Sequence, residues 1–331
     1  MNIGIIGCGF IGQKRSKNLA GHRLVAVCDV DFQKAHELRE QYGKETCEAF
    51  KDWRELLDPR SDIDIVIVCT THNLLAPIGL AALKAGKHVL LEKPGAMSSS
   101  EFEPLIKTAK EMKKTLHVGF NHRFHPAILM AQSILYQNNA EPVMFIRARY
   151  GHGGRLGYNK EWRADASISG GGELIDQGMH LIDLSRMFMG DFSEAFGHLP
   201  TYFWDMQVED NAFLQLKNNE GGVAWLHASW TEWKNTFCFE IYTKKRKIQI
   251  DGLGGSYGVE KLSHYEMSPK LEPPKTTIYE YLEADKSWDL EFKNFISIIE
   301  YNQIPGAYNN GNGENCLEAL KIVDKLYGRI K

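Results

Sequence analysis

A doubly wound α/β domain with a parallel sheet, followed by an α+β domain with a largely antiparallel open sheet, is predicted by three features of the sequence. The first is a glycine-rich turn set between an apolar strand and a helix near residue 7. The second is the alternation of strand-like and helix-like stretches that continues to about residue 120. The third is a change beyond that point to short strand-like stretches separated by turn residues, as in "KNNEGG". The expected ranges are 1–121 and 122–331, and 331 residues are enough for each domain to bury its own core.

The stretch "NIGIIGCGFIGQKRSKNLA" reads as strand, turn and helix. Gly7, Gly9 and Gly12 give G-x-G-x-x-G in that setting: the first permits a tight turn, the second lets the backbone approach a pyrophosphate, and the third permits close helix–strand packing. Phosphates would lie at the helix N-terminus, where N–H groups and the helix dipole favour negative charge. Phe10 and Ile11, inside the motif, belong to the same candidate cofactor segment. The second strand, "RLVAVCD", ends on Asp29, whose carboxylate can accept hydrogen bonds from the adenosine ribose and would repel a 2′-phosphate. Val30 follows, not an arginine, so the Rossmann pattern favours NAD over NADP.

The continuous apolar run "IDIVIVCT" suits a strand covered on both faces. A helix from about Leu75 to Ala85, the strand "KHVLLEKP", a helix opened by Ser98 and Glu101 at capping-box spacing, and the strand "LHVGF" complete the alternation. Ligands of such sheets bind at the carboxyl ends of the strands, which here carry Thr70, Thr71 and His72, then Glu92 and Lys93, then Asn121, His122 and Arg123. Lys93 follows a buried strand and is locked before Pro94. It serves either chemistry or a salt bridge to Glu92 or the next helix.

In the second range, one helix (Pro126 to Asn138) precedes strands at Val143 to Tyr150, Asn211 to Lys217, Gly222 to Trp230, Thr236 to Thr243 and Lys247 to Asp251. Helices at Trp288 to Tyr301 and Glu314 to Ile330 cover the sheet or pack back toward the first domain. "SGGGELIDQGMH" places Asp176 and His180 four apart, one helical turn, so that the acid can bond the imidazole. That is a candidate acid/base pair, although such pairs are also common on exposed helices. Its three glycines suggest a close approach, with the cofactor as one partner. Trp162 and Arg163, just upstream, either contact nicotinamide or substrate or form a core tryptophan beside a surface arginine.

A net charge of -3 lacks the basic surplus of nucleic-acid binders, and the run Lys244 to Lys247 reads as a solvated hairpin turn. No cleavable signal and no membrane span is evident, which makes the cytoplasm the expected location. Six scattered cysteines without a CxxC pair predict neither disulfides nor a metal site.

Together, the glycine motif, "AGKHVLLEKP", "GFNHRFHP" and "EWRADASISGGGELIDQGMHLIDL" resemble the Gfo/Idh/MocA oxidoreductases over essentially the whole chain. The resemblance implies a tightly held nicotinamide cofactor and redox chemistry at a carbinol carbon of a sugar, nucleotide-linked sugar or cyclitol. It also implies that Lys93, Asp176 and His180 are catalytic, and that a homodimer or homotetramer forms through the open sheet face. Arg123, Tyr150 and Arg163 are added as candidate substrate contacts. The family commonly reads T-P-x-x-x-H where this chain has Thr71 and Leu75, so the contacts of that histidine do not carry over.

The expected mechanism gives the hydroxyl proton to His180, whose ordinary pKa of about 6.5 suits a base near neutrality. Asp176 would orient the imidazole and Lys93 would donate to the same oxygen; Lys93 as base is the alternative. Two other classes stay open, a non-catalytic NAD-binding sensor and an imine or enone reductase on the same fold.

Overall fold

Apolar runs without polar interruption must be covered on both faces, and the first unit is built from them. A computed structural model describes residues 1–43, 46–58, 61–136, 141–270, 272–301 and 311–330. The chain divides into two compact units, Met1–Phe120 with Trp288–Leu317, and Asn121–Ser287 with Glu318–Lys331. The range 1–121 read from the sequence therefore omits Trp288–Leu317, and 122–331 wrongly includes it. The reason is packing: Phe292, Phe295 and Ile296 join one apolar cluster with Ile3, Ile5 and Val27.

In chain order the first unit runs β1 (Asn2–Ile6), α1 (Phe10–Lys17), β2 (Arg23–Cys28), α2 (Phe32–Tyr42), β3 (Glu48–Phe50), α3 (Trp53–Leu56), β4 (Ile65–Val68), α4 (His72–Lys84), β5 (His88–Leu91), α5 (Ser99–Met112) and β6 (Leu116–Val118). All six strands are parallel, in the order β3-β2-β1-β4-β5-β6. The order reverses direction between β1 and β4, which opens a crevice at their carboxyl ends. Every residue of β4 is buried, as its sequence requires. Ser98 Oγ accepts from Glu101 N–H, and the Glu101 carboxylate accepts from Met97 N–H, so α5 starts from the predicted acid–hydroxyl pair.

The second unit contains α6 (Pro126–Tyr136), β7 (Phe145–Gly151), α7 (Ala166–Ser169), α8 (Met179–Met189), β8 (Glu194–His198), β9 (Asn211–Lys217), β10 (Val223–Ser229), β11 (Thr236–Tyr242), β12 (Arg246–Asp251), β13 (Glu260–Glu266) and β14 (Lys275–Tyr281). The expected end of the first helix at Asn138 lies outside the described residues. The sheet order is β14-β13-β12-β11-β7-β10-β9-β8, antiparallel except where β7 and β10 run parallel. Side chains alternate: Ile146, Ala148 and Tyr150 of β7 are buried while Arg147 and Arg149 are exposed. The basic run turns β11 into β12, with Arg246 paired to Glu141 and Lys247 to Glu240.

Two further helices, α9 (Ser287–Tyr301) and α10 (Gly313–Leu326), follow the sheet. Among the described residues no helix is long and apolar enough to cross a membrane. Burial pushes the Cys47 thiol up to about 11 and those of Cys28 and Cys238 up to about 12, so these cysteines are neutral thiols near neutral pH.

Candidate functional site

Gly7 turns the chain out of β1 with φ +95°, and a Cβ there would lie 2.5 Å from the Cys69 carbonyl oxygen at the end of β4. A Cβ on Gly12 would collide with the Gly7 carbonyl, so these two glycines let loop, strand and helix close on one another. Gly9 differs. Nothing lies within 4 Å of the Cβ it lacks, so the loop is open where the N-terminus of α1 begins, with Phe10 and Ile11 following.

Asp29 closes the loop from β2: Oδ2 accepts from Cys8 N–H at 2.8 Å and Oδ1 from Asp31 N–H at 2.9 Å. Each oxygen retains a lone pair for a ribose hydroxyl. The neighbouring Val30 is 78% exposed and offers no cation for a 2′-phosphate. These residues fit a nicotinamide dinucleotide, with its phosphates on the Gly7–Gly12 loop and its adenosine ribose on Asp29. At the end of β4, Thr70 and Thr71 are half-buried, and Thr71 Oγ1 donates to Asn73 Oδ1 at 2.8 Å. His72 is buried in the first turn of α4.

Glu92, expected at the cofactor, has a different partner. Arg15 on α1 donates through Nε to Glu92 Oε1 at 2.7 Å and through Nη1 to Glu291 Oε2 at 2.5 Å, with the guanidinium 4.4 Å from the Trp288 ring centre. Burial works against the charge of Arg15, but Glu291 and Glu92 hold it as a cation. Glu92 thus ties the helix behind the glycine loop to the strand end that carries Lys93, and the Lys93–Pro94 bond is cis.

The three glycines of the second unit answer to its own core. Gly170 ends α7 in the left-handed region. A Cβ on Gly171 would overlap the Tyr327 phenol, and one on Gly172 would overlap the Glu209 backbone. Glu209 Oε1 accepts from Gly172 N–H at 3.1 Å, Leu174 N–H at 3.0 Å and Tyr327 Oη at 2.6 Å. Burial nevertheless pushes the Glu209 carboxyl up. Gly171 and Gly172 therefore make room for Tyr327 and Glu209, which corrects the expectation of an approach to cofactor.

After this start the chain makes a π turn over Leu174–Gly178, and α8 follows with all eleven residues buried. The expected single α-helix is thus widened at Asp176, a feature often found at functional sites. Asp176 Oδ2 accepts from Arg163 Nε at 3.0 Å, and the Arg163 guanidinium lies 4.4 Å from the Trp162 ring centre. Although burial opposes its charge, Asp176 and Tyr158 raise the pKa of Arg163 above its ordinary value. Arg163 is therefore the acid's partner and Trp162 the plate beneath it.

His180 stacks face to face on His122, with ring centres 3.7 Å apart and planes inclined by 18°. Asn121, expected to touch cofactor, donates from Nδ2 to Ser287 Oγ at 3.0 Å, which leaves Oδ1 to accept from His122 Nδ1 at 3.2 Å. Tyr150 meets both imidazoles edge-on, and burial, then Tyr257, hold its phenol well above the ordinary range. Its hydroxyl is hydrogen-bonded to Tyr257, and it stays neutral near neutral pH.

Arg123, expected to reach substrate, is 1% exposed and grips Asp183 of α8 with both arms, Nε to Oδ2 at 2.7 Å and Nη2 to Oδ1 at 2.5 Å. Its two arms are engaged by Asp183, so the structure shows it holding α8. Among the described residues no group of three or more histidine, cysteine or carboxylate side chains is arranged to hold a metal. Sequence reasoning missed Glu209 and Tyr327 because the bond between Gly172 and Glu209 spans 37 residues and the bond between Tyr327 and Glu209 spans 118. His122 had one visible signal, its position after a strand end beside Asn121.

Comparison with known proteins decides the lineage. Residues 1–120 match an oxidoreductase family with an NAD-binding Rossmann fold, and residues 128–249 match the GFO/IDH/MocA C-terminal domain. The chain belongs to the Gfo/Idh/MocA oxidoreductase family. Levoglucosan dehydrogenase of Pseudarthrobacter phenanthrenivorans is 28% identical over 235 residues, 67% of this chain and 60% of that protein, so the match spans less than two thirds of the relative. The inositol 2-dehydrogenase/D-chiro-inositol 3-dehydrogenase of Lactiplantibacillus plantarum is 29% identical over 321 residues, 92% of this chain and 84% of that protein. A solved levoglucosan dehydrogenase in complex with NADH has the same fold, with a TM-score of 0.86 at 22% identity over 99% of this chain and 97% of that one.

Gly172→Ala puts a methyl group against the Glu209 backbone, and it is expected to destabilise the protein by at least about 1–3 kcal/mol in a denaturant titration. An unchanged unfolding midpoint would show that the glycine segment does not pack as described.

Proposed function

We propose that the protein is an NAD-dependent dehydrogenase acting on a carbinol carbon of a sugar, nucleotide-linked sugar or cyclitol. The observation that carries this reading is the buried acid–imidazole segment of Gly172 to His180, present in a family chain whose glycine loop and Asp29 fit a dinucleotide. When bound, the nicotinamide accepts or returns the hydride.

The chain's own residues manage the proton. In the oxidative direction the hydroxyl O–H bond breaks, its proton goes to an imidazole nitrogen of His180, and the electron pair left on oxygen forms the carbonyl. Asp176 supplies negative charge near the imidazolium, and Arg163 fixes that carboxylate. Lys93 is proposed as the donor that stabilises the developing alkoxide. Tyr150, a neutral phenol bonded to Tyr257, is proposed as a substrate contact through an oxygen lone pair. The cytoplasm, where NAD is available, is the compartment this reading takes.

A homodimer or homotetramer through the exposed face of the eight-stranded sheet is part of the same reading. That face carries Trp225, Phe213 and Phe196, exposed by 56%, 38% and 59%, beside a stacked Phe145–Tyr242 pair. Solvated strand faces rarely collect so many aromatic rings without a partner.

Two measurements test these statements. With NAD and a panel containing levoglucosan, myo-inositol and nucleotide-linked sugars, reduced-nicotinamide absorbance should rise with at least one compound. His180→Ala should lower that rate by about 10²–10⁴-fold while cofactor binding persists. Silence across the panel, or an undiminished rate in the variant, would contradict the proposed chemistry. Light scattering should give the mass of a dimer or tetramer, and a monomer mass would refute the sheet-face interface.

A further inference from the structure

We propose that His122 is a positioning residue for His180, and that the two stacked imidazoles form a coupled pair sharing a single proton. The proposal rests on His180 as the proton acceptor and goes beyond it, because it makes the acceptor a property of two rings.

The geometry supplies the argument. Ring centres 3.7 Å apart, nearly parallel, leave no room for water between the faces. One face of His180 is thereby fixed, and the partner ring is itself fixed by Asn121 Oδ1, whose amide is oriented by Ser287 Oγ. Both imidazoles are buried, at 7% and 4% exposure, so a charge on one is poorly screened from a charge on the other. The first proton is acceptable in this setting and the second is opposed by the first, which is the condition for a pair to titrate as a unit.

The charged groups around the pair have partners of their own, so they leave the repulsion between two protonated rings standing. On the segment that leads into α8, Asp176 is partnered by Arg163, and Glu173 is buried. From the turn that carries His122, Arg123 is neutralised by Asp183 of α8, and His125 is paired with Glu260 of β13 at 2.9 Å. Tyr150 of β7 and Tyr257, held by burial as neutral phenols, add no charge. His122 thus gates the chemistry: His180 takes the substrate's proton while His122 is neutral, and a proton already on His122 blocks it.

The test follows the ring resonances of His122 and His180 by NMR across pH, in the full-length protein with saturating NAD, and in His122→Phe and His180→Phe. In the unaltered protein the lower of the two steps should fall more than about one pH unit below the single step that each ring shows when the other is phenylalanine. Should His122→Phe fail to fold, His122→Gln, which retains a donor for Asn121, serves the same comparison. Rings that titrate at the same pH with and without the partner would overturn the proposal. So would rings that stay neutral down to acid unfolding in every variant, since burial alone would then hold them. The titration uses no turnover, so its failure is distinguishable from failure of His180 as base, which the rate of His180→Ala reports.

Discussion

The start of α8 is the constraint on which the second unit depends. The helical stretch that runs from Glu173 through the π turn into α8 is buried throughout, so the N–H groups at its head must find partners inside the protein, because no water reaches them. Glu209 meets that need with a single buried carboxylate oxygen that takes Gly172 N–H, Leu174 N–H and the Tyr327 hydroxyl. Gly171 and Gly172 leave no room for a side chain against Tyr327 and Glu209, and Gly170 stands in the left-handed region at the end of α7, so each glycine of the run answers a local constraint. Once the start is fixed, the π turn sets Asp176 against Arg163, His180 reaches the face of His122, and Asp183 receives Arg123.

The first unit solves a related problem with charge. Arg15 stands on the helix that follows the glycine loop, almost wholly buried, and it is satisfied by Glu92 and Glu291. Leaving one charge of such a group unpaired costs about 3–5 kcal/mol, so the three side chains hold one another in place. The consequence reaches function through sequence adjacency: Glu92 immediately precedes Lys93, so the network that seats the loop helix also seats the lysine.

Legibility in the sequence followed the range of the interactions. Local signals were sufficient for the glycine loop, for Asp29 at its strand end, for the box that opens α5, and for β9, whose ends at Asn211 and Lys217 were read correctly. β8, β13 and β14 were not read, because "EKLSHYE" and "KTTIYEY" carry polar groups on strands near a sheet edge, where periodicity is weak. The residues Trp288–Leu317 were assigned to the wrong domain because chain order is silent about which core an apolar face will join. At the site, the residue types were visible but their partners were not. At a strand end Arg123 reads as a candidate substrate contact, whereas its carboxylate partner lies sixty residues away. The pairing of Arg163 with Asp176, the stacking of His122 on His180 and the π turn all arise from tertiary packing.

The central claim is that hydride moves directly between a carbinol carbon and the nicotinamide while His180 handles the proton. The most direct measurement uses levoglucosan, myo-inositol and a nucleotide-linked sugar deuterated on carbon, with NAD, and weighs the nicotinamide recovered. Direct transfer requires that the reduced nicotinamide carry one deuterium from the substrate. Reduced nicotinamide without the label, or no reduction with any labelled compound, would contradict it.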